Sequence, residues 1–124
     1  MSFKPDHFTV WAEIPVSDLD RSMTFYGDVF QLDLQKDETG PNPMAMFPTK
    51  DPANGIAGHL YVGKPSGDGG GPTVHFASPD TLEDALSRVK EAGGQVLSDP
   101  ITIPAGRFAY CLDLDGNSIG VFSR

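Results

Sequence analysis

The chain has 124 residues, the length of one domain, enough to bury a core without disulfides or a structural metal. Nine Lys plus Arg against seventeen Asp plus Glu give a formal charge of -8, which argues against nucleic acid and anionic membrane surfaces as partners. The lone cysteine, Cys111, excludes an internal disulfide, MSFKPDHF lacks the apolar run of a signal peptide, and no stretch approaches a membrane span, so a soluble cytoplasmic protein is expected.

From Phe8 to Val16 the apolar residues Phe8, Val10, Ala12, Ile14 and Val16 alternate with Thr9, Trp11, Glu13 and Pro15, predicting a strand with one face for a core. A carboxylate beside a tryptophan on the other face suits a cavity wall better than open solvent. Ser17 and Asp20 read as a capping box, and Leu19, Met23, Tyr26 and Phe30 follow at helical spacing. Gly27 weakens that helix, which is expected to end near Val29. Leu32 and Leu34 read as a short strand, KDETGPNP as turns, Met44 to Pro48 as another short strand, and IAGHLYV, from Ile56 to Val62, as a longer one. The stretch GKPSGDGGGP is the flexible linker near the middle of the chain.

The second half starts over. Thr73 to Pro79 is strand-like, Asp80 and Glu83 form a second capping box, and Leu82, Leu86 and Val89 make an apolar stripe that Gly93-Gly94 ends. Gln95 to Leu97 is the next strand, and Pro100 and Pro104 frame a loop or edge strand. Arg107 to Leu112 alternates, DLDGN is a hairpin turn, and Ser118 to Phe122 closes the chain. The fold class is therefore α+β in one domain spanning residues 1–124: module one about 8–63, linker 64–72 and module two about 73–124. Each module reads strand, helix, three strands, with one sheet face left uncovered. Two such faces meeting across a pseudo-twofold axis are expected to form a curved, mostly antiparallel, barrel-like sheet around a cavity, with a helix outside each module.

The phrases IPVSDLDRSMTFYGDVFQL, DALSRVKEAGGQVL and DLDGNSIGVF resemble the vicinal oxygen chelate superfamily, which includes glyoxalase I, extradiol dioxygenases and bleomycin resistance proteins. The resemblance implies paired βαβββ modules and a homodimer. It also implies metal ligands on the first and last strands of each module. Matching strand-to-cap spacing puts Trp11 and Val74 at the first-strand positions and His59 and Gly120 at the closing-strand positions. Of these only His59 can ligate, whereas a catalytic zinc needs about three protein ligands, so no metal and no other cofactor is expected. A register shift of one would bring His75 onto the cavity face and turn Glu13 away.

Glu13 and His59 are the catalytic candidates, since module symmetry puts both on the concave face. A carboxylate in an apolar hollow has its pKa raised by desolvation, which suits a general base. The alternative is that Glu13 serves a backbone group at a strand end or a dimer interface. Trp11, Phe76, Tyr110 and Phe122 are candidate ligand-binding aromatics, with Phe108 lining the cavity or filling the core, and Arg107 is a candidate for meeting an anionic ligand at the cavity mouth. His75 is expected to point toward the helix, and Cys111 to be a buried, inert thiol. Three functions compete: a metal-independent module binding a small molecule, a glyoxalase-like lyase, isomerase or dioxygenase that uses Glu13 and His59, with or without a divalent metal, and a structural or regulatory subunit whose cavity is vestigial.

Overall fold

The computed structural model describes residues 2–124 and builds them as two similar units in succession, a βαβββ unit and a second one that carries an extra short strand. The first unit runs β1 (Ala12–Val16), α1 (Leu19–Phe30), β2 (Gln35–Asp37), β3 (Met44–Met46) and β4 (Gly58–Val62). The second runs β5 (Val74–Ala77), α2 (Leu82–Glu91), β6 (Gln95–Val96), β7 (Ile101–Ile103), β8 (Gly106–Leu112) and β9 (Ser118–Ser123). Each unit makes its own mixed, open sheet, in the orders β1-β4-β3-β2 and β5-β9-β8-β6, with β7 added along β8. The opening strand of each unit pairs in parallel with its closing strand, and the other pairs are antiparallel. The architecture is α+β, as expected, although the sheets stay open and do not close into a barrel. No helix among the described residues is long and apolar enough to cross a membrane.

Several boundaries move for identifiable reasons. The first strand starts at Ala12, because its partner β4 starts at Gly58 and earlier residues have no ladder to join. Phe8 and Val10, expected on the buried face, are therefore exposed. Asp18, not Ser17, caps α1 by accepting from the Arg21 N–H, while Ser17 turns to Asp115. Thr81, not Asp80, caps α2 by accepting from the Asp84 N–H. Asp80 instead holds Arg88 through both guanidinium nitrogens, at 2.9 and 2.7 Å, and Arg88 Nε donates to the orphan Val29 carbonyl in the last turn of α1. The strand expected at Leu32–Leu34 lies at Gln35–Asp37; Leu32 and Leu34 pack half-buried against the core.

One core runs through both units. Ile14, Val16 and Leu60 from the first sheet and Ile119 and Val121 from the second pack with Phe25, Tyr26 and Val29 of α1 and Leu82, Leu86 and Val89 of α2. Within it Asp113, at the end of β8, is a buried carboxylate serving as a hub. It accepts from Tyr26 Oη at 2.7 Å, Asn117 Nδ2 at 3.0 Å and the backbone N–H groups of Asp115 and Asn117. Asn117 also donates to the Pro15 carbonyl at 2.7 Å, so the DLDGN turn of module two is fastened to β1 and α1 of module one.

Tyr26 ionises only well above the usual phenol range, because burial opposes its charged form and the Asp113 carboxylate beside it opposes it further. The unfolded phenol titrates near 10, so the folded state keeps a proton that the unfolded state loses. Stability is thus fully present below about pH 10 and declines as pH rises beyond it. In urea unfolding, Tyr26→Phe is expected to cost about 1 to 2 kcal/mol at neutral pH and to flatten that alkaline decline. Asp113→Ala, which strands the Tyr26 hydroxyl and the Asn117 amide, is expected to cost about 3 kcal/mol.

Candidate functional site

Strand alternation sends Ile14 and Leu60 toward the core and turns Glu13 and His59, which are direct partners across the β1–β4 ladder, to the opposite face. His59 is buried, while Glu13 keeps 67% of its side chain exposed. Trp11 Nε1 donates to His59 Nδ1 at 2.9 Å. An indole N–H can only donate, so Nδ1 must be the lone-pair nitrogen and the ring proton sits on Nε2. That Nε2 lies 3.3 Å from Glu13 Oε1. Both nitrogens of His59 are thus engaged, and the ring as held positions Trp11 and is not available as a base. The apolar hollow expected around Glu13 is absent from the single chain, since two-thirds of the side chain meets water.

In the second sheet the corresponding face carries His75, Phe108, Tyr110 and Phe122. The His75 ring packs edge-on against Phe108 with centroids 5.0 Å apart, and also meets Tyr110 and Phe122 edge-on. Phe108 and Phe122 stack in parallel, 6.0 Å apart. The imidazole lies directly over Gly120, where any Cβ would collide with the ring, so this glycine is what seats His75. The expectation that His75 points toward the helix is corrected. The strand-to-cap spacing misleads because Glu13 lies five residues before its Asp18 cap whereas His75 lies six before Thr81, an offset of one that reverses the face. The ladder register makes Glu13–His59 and His75–Gly120 the equivalent pairs. Trp11, matched by spacing to Val74, precedes β1, whereas Val74 lies within β5 on the face opposite His75.

A cavity of about 1200 Å³ opens along the free edge of β5, between the start of β1 and the aromatic face of the second sheet. Trp11, Phe47 and Ile56 form one wall, Phe76 and Phe30 the floor, and His75, Phe108 and Phe122 the other wall. Phe76 meets Tyr26, Phe30 and Phe47 in an aromatic cluster with centroids 5.3 to 5.7 Å apart, which fixes that floor. Four expected residues stand elsewhere. Glu13 and His59 do not line this cavity. Arg107 reaches back to α2, where its Nη2 lies 2.6 Å from Glu83 Oε2, so it does not meet the cavity mouth. Tyr110 shares the face of His75 but sits beyond the cavity. Cys111 is fully buried, and that burial pushes its thiol up to about 11, which makes it inert at neutral pH. Phe30, Phe47 and Arg124 were missed as lining residues; Arg124 continues the i, i+2 series of Gly120 and Phe122, which is the signal for it.

Within one chain the residues do not fit a metal ion. Glu13, His59 and His75 are the right donor types, but the first two lie on one sheet and the third on the other. Among the described residues no three His, Cys, Asp or Glu side chains converge.

This fold, with two parallel-opened βαβββ units and a cavity at their strand edges, defines a class, and the sequence agrees with it. Residues 4–121 match the Glyoxalase/Bleomycin resistance protein/Dioxygenase superfamily, and the chain belongs to that family. A glyoxalase/bleomycin resistance protein from Albidiferax ferrireducens superposes with a TM-score of 0.73 at 18% identity, covering 95% of this chain and 99% of that one. A glyoxalase/bleomycin resistance protein from Streptomyces gives 0.62 at 24% identity, covering 91% and 97%. A glyoxalase I variant from Zea mays gives 0.67 at 20% identity; 92% of this chain matches 45% of that one. At these identities the likeness establishes the fold. Comparison with curated proteins finds none that matches.

Trp11 is the only tryptophan, so its emission reads the site directly. Replacing His59 by Phe removes the acceptor that holds the indole, and is expected to red-shift the emission and lower its anisotropy, whereas Glu13→Gln leaves both near the wild-type values. An unchanged spectrum in His59→Phe would show that the hydrogen bond does not set the indole's position.

Proposed function

We propose that this chain is a metal-independent small-molecule-binding protein of the glyoxalase/bleomycin resistance group, and that its ligand is a flat, largely apolar molecule held in the cavity along β5. The observation that carries this reading is the cavity's size together with its lining of Trp11, Phe47, Phe76, Phe108 and Phe122, contributed by both modules. Aromatic walls bind flat molecules through area burial and through edge and offset contacts worth about 0.5 to 1.5 kcal/mol each. The His59 hydrogen bond adds to this by holding the Trp11 wall in place before a ligand arrives, which lowers the ordering cost of binding.

A second reading, a glyoxalase-like lyase, isomerase or dioxygenase using Glu13 and His59, is favoured by one observation: the equivalent ladder positions hold Glu13, His59 and His75. One carboxylate and two imidazoles are a donor set common in catalytic metal centres. In this reading a homodimer is required, since only a second copy can bring the His75 face of one chain to the Glu13 face of another.

Titration with planar aromatic compounds is expected to quench Trp11, with Phe108→Ala weakening binding roughly tenfold. Divalent zinc, nickel, manganese and iron are each expected to leave the melting temperature unchanged, since no binding means no shift by mass action. A rise of several degrees that His75→Ala abolishes would replace the binding reading with the enzymatic one.

A further inference from the structure

Resting on the binding reading, we infer that the cavity selects an organic anion, a flat apolar body carrying a carboxylate, sulfonate or phenolate, and that Arg124 is the residue that recognises the charge. The inference starts from the ionisable groups that line the cavity, which are His75, Asp80 and Arg124. Asp80 is already neutralised. Arg88 holds its carboxylate through two hydrogen bonds and keeps it below the usual carboxylate range. Arg124 is different. Its guanidinium carbon lies 5.6 Å from the centroid of Phe122, over a ring that itself walls the cavity. The protein has seventeen Asp and Glu, yet among the described residues none forms a salt bridge with this arginine.

The backbone places that charge. Gly106 opens β8 at φ 153°, and a Cβ there would collide with the Ser123 carbonyl and crowd the Arg124 Cα. The glycine therefore lets the end of the chain lie tight against β8, and alternation from Phe122 turns Arg124 to the cavity face. His75 adds a polar group on the same wall: among the described residues neither of its ring nitrogens has a hydrogen-bond partner, although its ring is clamped by three aromatics. A cation on an aromatic ring and an imidazole, both open to solvent at the edge of apolar walls, match a ligand with one acidic group on a flat body.

Two probes sharing one ring skeleton test this: anilinonaphthalene sulfonate, which is anionic, and phenylnaphthylamine, which is uncharged. Binding is read by Trp11 quenching in the full chain. The sulfonate is expected to bind more tightly, to lose roughly tenfold in Arg124→Ala, and to weaken as salt is raised. The uncharged probe is expected to be indifferent to Arg124→Ala and to salt, and Lys90→Ala, an exposed cation on α2, is expected to change neither probe. If both probes bind and Arg124→Ala affects them equally or not at all, the charge recognition is overturned and the binding reading stands. If neither probe quenches Trp11, the binding reading itself is overturned, and this inference with it.

Discussion

The arrangement of this molecule depends on Asp113. It is a buried carboxylate with no cation beside it, held by four donors: a tyrosine hydroxyl from α1, an asparagine amide and two backbone N–H groups of its own turn. Burying such a group is tolerable only when its lone pairs are satisfied, and one of the required donors comes from the other module. The turn of module two must therefore sit against α1, and Asn117 extends the same tie to the Pro15 carbonyl at the end of β1. That junction, together with the shared core of both helices, sets how the β1 edge and the β5 edge stand to one another. The cavity between those edges follows from it.

The cavity is built from what the strands leave over. β5 lies at the edge of its sheet, and β1 at the edge of its own, so neither has a partner on its outer side. Aromatic side chains line the space beside those edges, and their packing against Tyr26 and Phe30 makes the floor continuous with the core. Trp11 precedes β1 and has no ladder of its own to hold it; His59 does so instead through a hydrogen bond that also settles its own tautomer. The histidine that first attracts a catalytic reading is thereby a support for a wall. Arg124, at the opposite wall, is likewise supported by a ring, and among the described residues no carboxylate forms a salt bridge with it.

Much of this was legible in the residues. Alternation and helical spacing located both helices and most of the strands, because binary patterns report directly on which side of an element is dry. The repeat of strand, helix and three strands gave the α+β class and, with the phrases around Asp18 and Asp113, the family. Glu13 and His59 were expected together in a shared hollow; they are direct ladder partners, but neither lines the cavity. The phase of β5 was not legible. His75 stands six residues before its Thr81 cap where Glu13 stands five before Asp18, and a slip of one flips a side chain's face.

The sequence by itself thus determined the class of fold, the duplication and the apolar stripes of both helices, since these are set by local periodicity. Tertiary structure alone decided that His75 faces the aromatic wall, that Arg107 is spent on Glu83, that Trp11 is held by His59, and that Arg124 stands beside a cavity with no salt bridge among the described residues. Each of those outcomes depends on which atoms from distant parts of the chain come within about 3 to 6 Å of one another, a distance scale on which hydrogen bonds and ring contacts act and sequence spacing carries no information.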